Sequence, residues 1–159
     1  MISNNKETAT ALSLGIVVGS VVSSAIFAAT IKRKPPSTAA VIVRVPGFKE
    51  WRMSKWIQHD GILRTQGLVG DVSKVPGSST AQQTSEALAK LDAILQEAKV
   101  PRKNLLAVRI YVAEYTPANL KEMNDVYDQW VDPEGLPTRI CVQAGMGNFA
   151  VEIQAEAYY

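Results

Sequence analysis

The sequence predicts an α+β fold in which a mixed sheet is covered on one face by two helices, with one transmembrane helix ahead of it. Three observations carry this reading. Apolar spacing gives the order strand, β-hairpin, helix, strand, helix, β-hairpin, which does not alternate as a purely parallel α/β chain would. Only two stretches of the later chain keep helical spacing, enough for one covered face. Residues 9–31 carry no charge at all.

The expected organisation is a short tail over 1–8, an anchor over 9–31, a basic and Pro-rich linker over 32–38, and one domain over 39–159. As a helix, residues 9–31 would be about 35 Å long, enough to cross a hydrocarbon core of about 30 Å. Lys32, Arg33 and Lys34 follow it directly. By the positive-inside rule they keep the C-terminal domain on the cytosolic or matrix side of a single-pass protein. Moderate hydrophobicity with a basic C-terminal flank resembles mitochondrial signal anchors, so a mitochondrial membrane is the expected location. Gly15 and Gly19 form a GxxxG that would let helices approach closely.

Ala39 to Val45 reads as a first strand. Ser54–His59 and Ile62–Leu68 read as a hairpin around Asp60-Gly61. Thr80 to Lys99 is the clearest helix, with Ala87, Leu88, Leu91, Ile94, Leu95 and Ala98 on one face and Thr80 and Gln83 spaced as a capping box. Pro101 stops it. Leu105–Ala113 alternates as a strand. Thr116 and Pro117 supply an N-cap and a first-position proline for a second helix. Its apolar stripe is Leu120, Met123, Tyr127 and Trp130, which is core spacing.

Pro137 to Ala157 reads as two strands around Gly145, Met146, Gly147 and Asn148. With Met146 and Gly147 at the tip, Cys141 faces Glu152 and Arg139 faces Gln154. Arg139 and Glu152 then become diagonal neighbours on one face, roughly 7 Å apart at Cβ. A guanidinium and a carboxylate so placed can hold a small anionic substrate and a water. A one-residue change in register would put them on opposite faces. Arg109 is expected beside them on the uncovered face.

Composition excludes several classes. Of 17 Lys and Arg, four (Lys6, Lys32, Arg33, Lys34) precede residue 36, and of 15 Asp and Glu only Glu7 does, leaving 13 against 14 in residues 36–159. That balance gives no basic footprint for nucleic acid and no support for ribonuclease activity. One cysteine permits no internal disulfide, and one histidine permits no zinc cluster.

Pro137-Thr138-Arg139, Val142-Gln143-Ala144-Gly145 and Val151-Glu152-Ile153 together resemble the C-terminal signature of the Rid family, the reactive-intermediate or imine deaminases of YjgF type. Val41-Ile42-Val43-Arg44, Arg52-Met53-Ser54, Leu105 to Ala113, Met123-Asn124 and Trp130-Val131 extend the resemblance from about Val41 to the C-terminus. It implies a chorismate mutase-like fold and a trimer whose sheets line a barrel, with clefts between subunits. The implied reaction is hydrolysis of 2-imino or 2-enamino acids to 2-keto acids and ammonia, with no cofactor and no metal. The implied catalytic residues are Arg139 and Glu152, with Arg139, Cys141, Trp56 and Asn124 binding substrate. Trp56 stands where the family usually has Tyr, and the Cys141 thiol is expected to pack while its backbone lines the cleft. The expected partners are a small 2-imino acid, other copies or Rid-like chains in a homotrimer or heterotrimer, and the membrane through 9–31. The alternative is a non-enzymatic Rid-fold accessory subunit of a membrane complex.

Overall fold

The computed structural model describes residues 41–47, 52–71 and 77–159. The chain divides into two units, 1–38 and 39–159, and every element below lies in the second. The expected anchor over 9–31 and its GxxxG lie outside the described residues. Among the described residues no helix is long and apolar enough to cross a membrane. The expected single-pass mitochondrial location is therefore corrected.

The elements are β1 (Val43–Pro46), β2 (Ser54–His59), β3 (Ile62–Thr65), β4 (Leu68–Val69), α1 (Thr80–Glu97), a 3-10 turn (Arg102–Asn104), β5 (Leu105–Val112), α2 (Pro117–Trp130), β6 (Thr138–Gln143) and β7 (Val151–Tyr158). The strands form one seven-stranded sheet in the order β1-β2-β3-β7-β5-β6, with β4 also on β7. All neighbours are antiparallel except β5 and β6, which are parallel.

The Asp60-Gly61 hairpin forms as its sequence predicts. Asp60 and Gly61 both have positive φ, at 49° and 78°, which suits the twist of two antiparallel strands. The expected strand over 62–68 breaks at Gln66-Gly67 into β3 and β4. At the break the Thr65 hydroxyl accepts from the Ala155 backbone N–H at 3.0 Å, so a side chain completes the ladder.

Helix α1 begins one residue from the expected cap. Ser79, extended at φ −65° and ψ 164°, accepts from Gln82 N–H through its hydroxyl. Gln83 turns elsewhere: its Oε1 accepts from Ala150 N–H at 2.8 Å and its Nε2 donates to the Ser78 carbonyl at 3.2 Å. These bonds tie α1 to the chain entering β7. Helix α2 starts as expected, with Thr116 capping and Pro117 in the first turn.

Leu88, Leu91 and Ile94 of α1 and Met123 of α2 meet Val108, Ile110, Val112, Val151 and Ile153 of the sheet, all fully buried. Each such Leu or Ile contributes about 1.5–3 kcal/mol relative to exposure. Arg102 fastens the helices to each other. It forks onto both Asp92 oxygens at 2.7 and 2.6 Å, donates to the Trp130 carbonyl at 2.9 Å, and lies 4.9 Å from the Trp130 ring. Trp130 Nε1 closes the loop by donating to Asp92 at 3.0 Å.

The expected C-terminal hairpin is replaced by another pairing. Strand β6 does not touch β7 in the ladder; β5 lies between them, with Ile110 level with both Cys141 and Ile153. The physical reason is the β5-α2-β6 connection. A strand, a covering helix and a returning strand lie parallel side by side, which consumes one edge of β5 and leaves β7 the other.

Lys99 ends α1 in the left-handed region at φ 58°, with Lys99 N–H on the Gln96 carbonyl and Val100 N–H on the Leu95 carbonyl. A side chain there costs roughly 1–2 kcal/mol, and glycine avoids the clash while losing more freedom on folding. Lys99→Gly is expected to stabilise the fold by about 0.5–1 kcal/mol, read as a higher urea midpoint at unchanged slope.

Candidate functional site

The pairing of β5 decides where the expected site residues fall. Val108, Ile110 and Val112 of β5 face the helices and are buried. Arg139 is level with Val108 and Cys141 with Ile110, so both share the helix-covered side of edge strand β6. Glu152 is level with Tyr111 and stands on the open face. The expectation that Arg139 and Glu152 are diagonal neighbours is therefore corrected. They lie on opposite faces, two strands apart, roughly 10 Å across the sheet and roughly 10 Å along it. Arg109 does stand on the open face with Glu152, as expected, and Arg139 does not.

On the helix-covered side, Arg139 Nη1 donates to Asn124 Oδ1 at 2.9 Å. Its Cζ lies 4.9 Å from the centre of the Tyr127 ring. Asn124 and Tyr127 are one turn apart on α2 and so share a face. Among the described residues no carboxylate pairs with Arg139. The guanidinium is held by one hydrogen bond and one aromatic face, and its remaining N–H groups stay available. A fork in that state fits a planar carboxylate. Cys141 packs against the core, and burial pushes its thiol up, with the Arg139 charge pulling the other way. A thiol so placed is a poor nucleophile.

On the open face, Glu152 borders a cavity of about 270 Å³ with Gly67, Tyr111, Ala144, Gly145, Met146 and Gln154. Its carboxylate has no hydrogen bond or ion pair among the described residues. A Cβ on Gly67 would overlap Glu152 Oε1, so glycine at the break between β3 and β4 leaves room for the carboxylate. Further along, Glu156 accepts from Arg109 at 3.0 Å and pairs with Arg64 at 3.3 Å. Ile140 and Val142, 52% and 43% exposed, continue this face onto β6.

Trp56, expected to line the substrate site, is 4% exposed and belongs to the core. Its indole N–H has no partner among the described residues. Sequence reasoning placed Tyr127 in the core stripe and missed its contact with Arg139. The three-residue spacing from Asn124 was the available signal. A larger cavity of about 480 Å³ lies between β4 and α1. Its lysines are engaged, Lys55 with Glu97 at 2.6 Å and Lys90 with the Val69 carbonyl at 2.7 Å, so it has less to offer a charged substrate. Among the described residues no cluster of His, Cys, Asp and Glu could hold a metal ion.

A mixed sheet with two helices on one face, an arginine on edge strand β6 and, among the described residues, an unpaired carboxylate on the open face mark the class. The pattern of the Endoribonuclease L-PSP family matches residues 49–159, and the chain belongs to that family, which includes the Rid, or YjgF-type, proteins. The RutC family protein YoaB of Escherichia coli K12 is 29% identical over 118 residues, covering 73% of this chain and 96% of its own. The structure is similar to that of a YjgF family member from Neisseria meningitidis, with a TM-score of 0.65 and 28% identity over 74% of this chain and 94% of the other. It is equally similar to an uncharacterized Pseudomonas aeruginosa protein, with a TM-score of 0.65 and 28% identity over 74% and 98% of the two chains.

Cys141 is expected to react with iodoacetamide more slowly than free glutathione at pH 8, followed by mass spectrometry of the intact protein. Labelling as fast as glutathione would contradict the packed, raised-pKa thiol described here.

Proposed function

We propose that this protein is a deaminase of 2-imino and 2-enamino acids whose site is shared between two copies. The observation that carries the reading is a pair of complementary groups unsatisfied among the described residues: an arginine fork without a carboxylate, and a half-buried carboxylate without a cation. They lie too far apart, on opposite faces, to serve one small substrate within a chain. A neighbouring copy whose open face meets the β6 edge would bring its Glu152 toward Arg139. The exposed Ile140 and Val142 suit such a contact. The assembly in this reading is a homotrimer, or a heterotrimer with related Rid-like chains.

In this reading Arg139 holds the substrate carboxylate bidentately, with Asn124 keeping the fork in place. Glu152 of the next copy orients a water and takes its proton. The water oxygen bonds to C2 of the imine as the C=N π pair moves to nitrogen, which takes the proton from Glu152. The carbinolamine hydroxyl proton then passes through Glu152 to the amine nitrogen, the C–N bond breaks, and the oxygen lone pair forms the C=O of the 2-keto acid as ammonia leaves. Imine carbon is already electrophilic, so a placed water and a fixed carboxylate supply most of what the reaction needs. The Cys141 backbone borders the site, and its thiol takes no part. Trp56 acts through packing of β2.

Arg139→Lys keeps the charge and loses the planar fork. Activity on 2-aminoacrylate, generated in situ and followed against a trapping amine, is expected to fall about ten- to a hundredfold, the worth of a charged hydrogen bond of roughly 1.5–3 kcal/mol. Glu152→Gln is expected to lower kcat with KM changed little, because an amide is a poor base. A wild-type protein no faster than the uncatalysed reaction with several imino acids would overturn the deaminase reading in favour of a non-catalytic subunit.

A further inference from the structure

We infer that Tyr127 is a positioning residue whose ring is the platform that fixes the plane of the Arg139 guanidinium. Its functional consequence rests on the reading of Arg139 as the carboxylate-binding group. The platform itself rests on geometry within one chain.

Arg139 sits on an edge strand with its side chain exposed. A free arginine there would carry large rotamer freedom, and a ligand would have to freeze it on binding. The Asn124 bond at 2.9 Å anchors one nitrogen only. Rotation about a single hydrogen bond would still swing the fork. The Tyr127 face, 4.9 Å from Cζ, removes that freedom, because the cation is attracted to the ring face. Together the two contacts set the position and the plane, and they leave the rest of the fork for a ligand.

The platform is itself well supported. Tyr127 is 5% exposed, and its ring meets the Trp130 ring at 5.9 Å. Trp130 is held by Asp92 through its N–H and by Arg102 over its face. A continuous series of contacts thus runs from the α1–α2 clasp to the sheet edge. The Tyr127 hydroxyl is buried without a partner among the described residues. Among the described residues the oxygen tethers nothing, and the aromatic face is what the ring offers Arg139. Burial also pushes the phenol up against the lowering effect of Arg139, so the ring stays uncharged at neutral pH.

The test uses the full chain and two readouts. The first is 15N relaxation of the Arg139 Nε–Hε group, assigned by its disappearance in Arg139→Lys. The second is the division between KM and kcat for an imino acid. Tyr127→Phe keeps the face and is expected to match wild type in both. Tyr127→Leu and Tyr127→Met each remove the face at similar volume, and the unbranched Met side chain adapts to an irregular gap, which guards against failure to fold. Both are expected to loosen Arg139 and raise KM about three- to tenfold, with kcat changed much less. An Arg139 that stays as ordered in the folded Leu and Met variants overturns the platform. An Arg139 loosened with KM unchanged upholds the platform and overturns instead the reading of Arg139 as the carboxylate-binding group.

Discussion

Strand β5 governs the molecule. It lies between β6 and β7 and pairs along both edges, parallel on one side and antiparallel on the other. Val108, Ile110 and Val112 supply the centre of the core from this strand. Its neighbours inherit their facing from it: a residue level with Val108 looks toward the helices, and one level with Tyr111 looks away. The arginine at the sheet edge and the carboxylate on the open face are consequences of that register. Shifting β6 by one residue against β5 would exchange the faces of Arg139 and Ile140 and undo the contact with α2.

The two faces are treated differently. The helix-covered side is closed by apolar packing and by a polar clasp of Asp92, Arg102 and Trp130 at its margin. The clasp is partly exposed, so its Coulomb attraction is screened and its value lies more in fixing geometry than in stability. Among the described residues the open face carries charges that are only partly balanced, with Glu156 between Arg64 and Arg109 and Glu152 unpaired. It also exposes Ile140 and Val142 at its edge. A sheet face of that mixed character, uncovered among the described residues, suits contact with another subunit and a ligand held between them.

Much of this was legible in the sequence, and the exceptions have physical causes. Asp60-Gly61 fixed the first hairpin because few residues tolerate positive φ. Thr116-Pro117 fixed the start of α2. Thr80 misled as a cap because Ser79, one residue earlier, is equally able to accept, while Gln83 is drawn to Ala150. The C-terminal hairpin misled for a deeper reason. Gly145 to Asn148 carry turn chemistry, and alternation on both sides satisfies a hairpin as well as it satisfies two strands flanking a third. Local pattern does not encode which strand lies between. The strand-helix-strand order from Leu105 to Gln143 held the answer, since it favours a parallel neighbour for β5. The family motif marks Arg139, Glu152 and Asn124, but not the faces they occupy. Trp56 resembled a site residue by position, while its burial makes it part of the core.

Mixing two inactive variants tests the shared site most directly. Arg139→Ala and Glu152→Gln chains would be unfolded together in equal amounts and refolded, with each variant treated alone as control. If each site takes its arginine from one copy and its carboxylate from the next, random assembly restores both groups at about a quarter of the sites. A shared site gives activity near that fraction of wild type in the mixture and essentially none in either control. A mixture as inactive as its components, with exchange of subunits verified by mass spectrometry of the intact assembly, would contradict it.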